Sequence, residues 1–275
     1  MHRHLWPPSL ITALQSRERR PRLRRRILEL PSGDWEIDLA AHELGSRLAA
    51  LDRDEIDVAV ISCPPTLELD PDLAESYHEG MLDMVAEADG RLRAFACNDA
   101  RDGFAGACVS ALALDNLVAL APLLAALEER GELLFVHPGP ALTPPDAPDW
   151  WPSVVGYTAQ MQFAYAVWLA HGAAAWPDLR ILFAILAGGA PVQLERLNSR
   201  GLETRAVLHE NVYLDTASYG ERALALAFAT YGVGQIVYGS DWPVIDPTPT
   251  LRSVRGFGQA VAEAVCGANP ARLLA

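Results

Sequence analysis

The stretch that decides the fold is Leu133-Leu134-Phe135-Val136-His137-Pro138-Gly139-Pro140. Four successive apolar side chains suit a short strand buried on both faces, and the Pro-Gly-Pro that follows stops it. His137 is left at the carboxyl end. Runs of the same kind lie at 57–62, 91–97, 107–110, 181–186, 212–215 and 235–239, and between the runs the pattern turns helical at 42–53, 71–88, 115–130, 157–175, 190–198, 219–231 and 250–274. Such alternation predicts a parallel sheet with helical crossovers. Several strands end in reactive or polar residues: Ser62 and Cys63, Asn98, His137, Asp215 and Thr216, Ser240 and Asp241. In an α/β chain folded as a (β/α)8 TIM-type barrel, all these ends meet on the face that carries the active site. A doubly wound open sheet lacks support, because no Gly-x-Gly-x-x-Gly turn follows any strand. Residues 1–275 therefore read as one barrel domain, with the Pro-rich segment 138–152 as a long active-site loop.

Two departures from eight complete units stand out. Seven strands are found, and the missing one should come first, before His2, where only Met1 is available. Its neighbours at 57–62 and 235–239 would then have unpaired edges, so either the natural protein begins upstream of Met1 or another segment or subunit caps the gap. Between Cys97 and Ala107 the chain is also too short for a helical crossover, which takes at least ~10 to 12 residues.

Composition narrows the chemistry. The chain carries 22 basic and 35 acidic residues, a net charge of −13. That balance opposes attraction to nucleic-acid phosphate or an anionic membrane and favours a small-molecule substrate. Every basic residue is arginine, which excludes a Schiff-base lysine, a Walker-type lysine and a lysine carbamate bridging two metals. Cys63, Cys97, Cys108 and Cys266 lack Cys-x-x-Cys spacing and read as reduced, buried residues. No apolar run approaches the ~18 uncharged residues of a membrane span and no signal-peptide core is seen, so a cytoplasmic location is expected.

His2 and His4 form a His-x-His pair, and in an extended segment residues two apart point to the same side. His137 could add a third imidazole. Asp241, which ends Gln235-Ile-Val-Tyr-Gly-Ser-Asp241-Trp-Pro243, could be a fourth ligand or could hold and deprotonate a water. Three histidines and one aspartate with an open position suit one divalent ion, zinc first and manganese second. Alone, each residue has a plainer role: Asp241 as a turn former, His137 as a satisfied buried histidine, His2 and His4 as residues of a loose start.

Taken together, HRHLWPP at the start, FVHPGP in the middle, the LAGGAP segment with Glu195-Arg196-Leu197 after it, YGSDWPV and the closing NPARLL resemble the amidohydrolase superfamily, in particular its aminocarboxymuconate-semialdehyde decarboxylase-like branch. The resemblance implies that His2, His4, His137 and Asp241 bind one metal and that the enzyme is a hydrolase or a nonoxidative decarboxylase of a small organic acid, lactone or cyclic amide. It also exposes a gap. Such enzymes commonly carry a histidine after the sixth strand, before a run of glycines, where Ile185-Leu186-Ala187-Gly188-Gly189 puts Ala187. Proton transfer would then fall to Asp241 or to another residue. His171, His209, Asp215 and Tyr219 each have a plainer role; Asp215 and Thr216, which end a strand on the correct face, are the better candidates, though capping the next helix is the simpler job for them.

The basic segment 17–26 (RERRPRLRRR) reads as a solvated face or a subunit contact of a homodimer, or as the source of an arginine that clamps a substrate carboxylate. Trp6, Trp151 and Tyr157, with Trp150, flank the expected pocket and suit a flat substrate. The rival reading is a noncatalytic barrel that keeps the shape and has lost turnover.

Overall fold

The computed structural model describes residues 1–202 and 208–275. It opens with β1 (Arg3–His4), followed by a small antiparallel sheet of β2 (Arg22–Arg24), β3 (Ile27–Leu30) and β4 (Gly33–Glu36). The parallel strands then resume as β5 (Ala59–Ser62), β6 (Leu92–Ala94), β7 (Ala96–Cys97), β8 (Gly106–Ser110), β9 (Leu133–His137), β10 (Arg180–Phe183), β11 (Val212–Asp215) and β12 (Ile236–Val237). β6 and β7 are halves of one strand parted at Phe95, the first pairing with β5 and the second with β8. Counted so, eight parallel barrel strands follow one another in chain order among the described residues.

The first strand is present, contrary to the sequence reading. It is built from Arg3 and His4 themselves, which pair with Ile61 and Ser62 of β5. On the other side Arg3 bridges to Trp242, the His2 carbonyl accepts from the amides of Ser240 (3.1 Å) and Asp241 (2.9 Å), and His4 N–H donates to Trp242 O (2.9 Å). Two residues suffice because the chain leaving β12 bends back to meet them, so both neighbouring edges have partners. His4 therefore lies on the strand and His2 directly before it, and alternation along the chain sends His2 and His4 one way and Arg3 the other, toward Asp54 at 3.2 Å.

The short third connection behaves as expected: residues 98–105 pass from β7 to β8 without a helix. Strand β10 stops at Phe183 instead of running to 186, because Ile185, Leu186, Ala187, Gly188 and Gly189 all have positive φ, between 47° and 89°. The segment 17–26 enters the β2–β3 hairpin, an element that the arginine-rich composition hid. The helix at 250–274 is interrupted at Gly258, whose φ is 100°. Helix Ala111–Arg130 is long and apolar enough, by length and composition, to cross a membrane. It is here the crossover between β8 and β9, with Leu124 and Leu127 fully enclosed against the barrel. Cys63 and Cys108 are buried as expected, but Cys97 is half-buried and Cys266 exposed.

Inside the ring, Phe95 and Phe135 stack at 5.3 Å, and both are fully buried. This aromatic plug closes the barrel below the carboxyl ends of the strands. The histidines stand directly on it, with the His2 ring 5.2 Å from that of Phe135.

Candidate metal centre and substrate cavity

His2, His4, His137 and Asp241 meet at the carboxyl end of the barrel, and each offers one ligand atom within 4.8 Å of all the others. His2 stands immediately before β1 and His4 ends it, the last residue of β9 is His137, and the turn after β12 supplies Asp241. Asp241 takes a left-handed conformation (φ 54°) that aspartate tolerates better than most residues.

The hydrogen bonds behind the cluster decide what it can hold. His4 Nδ1 lies 2.9 Å from the Ser62 carbonyl and His137 Nδ1 2.8 Å from the Pro138 carbonyl, and carbonyls only accept. His2 Nδ1 lies 2.8 Å from Oδ2 of the fully buried Asp215. All three Nδ1 atoms therefore carry hydrogen, which leaves the Nε2 lone pairs turned toward one another. The two Nε2 atoms of His2 and His4 are 3.2 Å apart, and Asp241 Oδ1 is 3.1 Å from the second and 3.5 Å from the first. Lone pairs and a carboxylate at such spacing repel unless a cation joins them. The donor set thus fits a divalent ion, with each imidazole oriented by a partner behind it.

The charges agree. Burial, together with His2 and His4, holds the His137 pKa well below the usual imidazole range. Burial pushes Asp241 toward protonation, but the three histidines outweigh it and keep the carboxylate ionised. Burial pulls His2 down, yet Asp215 and Asp241 raise its pKa on balance.

Beside the cluster, with His4 in its wall, lies a cavity of about 410 Å³. Trp6 and Tyr157 line it, as the sequence suggested, together with Leu28 and Leu30 of the small sheet. Trp151 does not. It begins a helical segment and leans toward Trp150 (5.9 Å between rings), while Asp149 before that segment and Pro152 and Ser153 within it face the cavity.

The arginine clamp drawn from 17–26 is also absent. Arg17 and Arg19 engage Asp70, Arg20 Asp34, Arg22 Glu29, and Arg26 Glu36, while Arg24 bonds the carbonyls of Gln15 and Arg17. Arg25 turns the hairpin at φ 58° and is exposed. Among the described residues no arginine lines the cavity.

Ala187 is completely buried and is no part of the cavity wall. The first residue of that turn is Ile185, whose amide donates to Asp215 Oδ1 at 3.0 Å. None of Ile185, Leu186 and Ala187 can carry a proton, so the gap is real at every position of the turn. His171 is exposed and His209 accepts a local amide before β11, neither near the cluster.

Two residues were underrated in the sequence. Asp215 does accept the Ala217 amide (2.9 Å), as a cap would, but its other oxygen orients His2. His42, passed over as the start of a helix, forms part of the cavity wall. The signal for Asp215 was its place at a strand end; His42 offered none.

The model of a protein family described as amidohydrolase matches residues 1–275. A 2-amino-3-carboxymuconate-6-semialdehyde decarboxylase from Dictyostelium discoideum is 22% identical over 289 residues, covering 90% of this chain and 78% of that protein. Among solved structures, the Metarhizium anisopliae IDCase in apo form superposes with a TM-score of 0.83 at 24% identity, covering 99% of this chain and 95% of the other. A dihydroxybenzoic acid decarboxylase from Polaromonas sp. JS666, solved with bound manganese and the inhibitor 2-nitroresorcinol, superposes with a TM-score of 0.70 at 17% identity, covering 99% and 95%. At these identities the structures share the barrel fold.

Proposed function

Because the chain belongs to the amidohydrolase family, we propose that it is a metal-dependent carboxy-lyase that releases carbon dioxide from a small planar carboxylic acid without an external oxidant. One observation carries the reading: a buried cluster of three histidines and one aspartate adjoins an aromatic-walled cavity, and His4 belongs to both. The decarboxylases among the similar proteins support it further.

His2, His4, His137 and Asp241 would hold a divalent ion, which when bound would supply Lewis-acid stabilisation of negative charge on the substrate. Zinc suits the donor set best, and manganese follows by analogy with the Polaromonas enzyme. The protein residues do the rest. Asp215 and the carbonyls of Ser62 and Pro138 keep the imidazoles oriented. Trp6 and Tyr157 flank a flat substrate and keep its reacting carbon away from water. As the bond to the carboxylate breaks, its electron pair stays on the carbon, which must gain a proton. Asp241 relays that proton from solvent, being a strong acid once protonated.

A second reading, hydrolysis of an activated ester or lactone, is favoured by the turn at 185–187, which offers no acid to a poor leaving group. There Asp241 takes a proton from the attacking water. The experiment is to load the protein with zinc or manganese and measure carbon dioxide release from hydroxybenzoates and related planar acids, beside hydrolysis of aryl esters and lactones. Release of carbon dioxide that Asp241→Asn abolishes is expected. Ester or lactone cleavage alone would establish the second reading, and neither reaction on any substrate would leave the noncatalytic barrel.

A further inference from the structure

Among the cavity-lining side chains that the mechanism above does not use, one is a buried hydrogen-bond donor held in a fixed orientation. His42 lies at the end of the 3-10 turn Leu39–His42, where it is 5% exposed and lines the cavity. Its ring stacks on Trp6 (4.5 Å between centroids, 22° between planes), and its Nδ1 accepts the backbone N–H of Trp6 at 3.1 Å. A ring nitrogen that accepts a hydrogen bond carries no hydrogen, so in the neutral ring the hydrogen sits on Nε2. Protonation of the ring is opposed by its burial and by the enclosed guanidinium of Arg47 in the helix that follows, which is held over the Trp242 ring at 3.9 Å. Nε2 has no protein partner among the described residues and is not sealed off, so it opens on the cavity.

The other charged residues around this space are acids. Glu36, Asp38 and Asp149 stand at its rim, Glu36 facing Arg26 at 3.3 Å and Asp38 capping the amide of Ala40. Among the described residues no guanidinium reaches the space, and the chain has no lysine. A second carboxylate on a substrate would meet three negative groups and no cation. An uncharged acceptor would meet a fixed N–H.

We propose that His42 binds the substrate by donating its Nε2–H to an uncharged oxygen acceptor remote from the carboxylate, so that the site selects planar monocarboxylic acids bearing a carbonyl or ether oxygen over dicarboxylates. The assignment rests on the reading of the cavity as the substrate site of a carboxylate-binding metal enzyme. Trp6 supplies the face against which the ring of the acid lies, and through its amide it also sets which nitrogen of His42 points inward.

The test uses the manganese-loaded full chain and three kinds of probe: benzoate, the tighter-binding of 3- and 4-acetylbenzoate, and isophthalate. Two variants separate positioning from structure. In His42→Asn the amide can still accept from Trp6 N–H but cannot reach the cavity, whereas the amide nitrogen of His42→Gln falls near the place of Nε2. Wild type should bind the acetylbenzoate roughly 5- to 10-fold more tightly than benzoate, as one neutral hydrogen bond allows. Isophthalate should bind more weakly than benzoate. His42→Asn should lose the acetyl preference while its affinity for benzoate is unchanged, and His42→Gln should keep most of it. Without any variant, on the chain loaded with diamagnetic zinc, the Nε2–H resonance of His42 should move downfield with acetylbenzoate and not with benzoate. An acetyl preference that survives in His42→Asn, a parallel loss of benzoate, or an unmoved resonance overturns this assignment alone. Failure of every acid to bind the wild type overturns the proposed function and this assignment with it.

Discussion

Asp215 Oδ2 lies 2.8 Å from His2 Nδ1, both side chains are enclosed, and the other carboxylate oxygen receives the amides of Ile185 and Ala217. The carboxylate at the end of the seventh barrel strand therefore reaches across the ring's closing seam to the residue that precedes the first, two strands away, and fixes one imidazole for metal binding. Replacing such a partner typically costs ~10- to 100-fold in metal affinity. Asp215→Asn should show a loss of that size by competitive chelator titration, with the metal-free fold retained by circular dichroism.

Proton competition follows from the same pair. His2, raised on balance by Asp215 and Asp241 against the opposing effect of burial, keeps its proton to higher pH than an ordinary histidine. The ion must displace that proton, so affinity should rise with pH up to the raised pKa by as much as ~10-fold per unit, then level off. In Asp215→Asn the plateau should begin at lower pH. Isothermal titration with manganese between pH 6 and 8.5 checks both points, and affinity independent of pH across that range would contradict them.

His137→Ala should lower metal stoichiometry sharply, because loss of one ligand from a four-ligand site costs several kcal/mol. Metal analysis of purified protein and the thermal response to chelator read this directly. Asp241→Asn should abolish turnover even where some metal is retained.

The turn after β10 yields opposite expectations for two neighbouring positions. Ala187 is fully enclosed, so Ala187→His should cost about 1–3 kcal/mol through overpacking and bring no activity. Ile185 holds φ 47°, where a β-branched residue is an outlier and histidine is better tolerated, and its amide already touches Asp215. Ile185→His should leave the melting temperature unchanged or higher, and should raise turnover if its imidazole reaches the substrate as an acid; kcat measured beside thermal melts compares the two variants.

Arg17 belongs to stability and not to the substrate. Its guanidinium, 2.6 Å from Asp70, lowers the pKa of that carboxyl below its ordinary value. Asp70 is ionised in the folded state at pH where the unfolded chain would protonate it, so the pair stabilises above the unfolded pKa and the contribution is lost as pH falls through the folded one. Arg17→Ala should cost about 0.5–1 kcal/mol near pH 7, a gap that closes in acid, without changing the affinity for any carboxylate.

Strand periodicity and the residues at strand ends were local facts. The run Leu133–His137 is a strand in the sequence and in the structure, and His2, His4, His137 and Asp241 could be named because a barrel gathers its carboxyl ends wherever they lie in the chain. The strand made by Arg3 and His4 could not be read, since two residues carry no periodicity and become a strand only through partners at 61–62 and 240–242. For the same reason the β2–β4 sheet was hidden: Arg22 and Glu29 face each other across a hairpin whose charged side chains mask its alternation. Tertiary structure alone set the fate of the remaining polar groups. It turned the arginines of 17–26 onto acidic and carbonyl partners, set Asp215 behind His2, and brought His42 against Trp6, because hydrogen-bond partners are chosen by proximity in space and not along the chain.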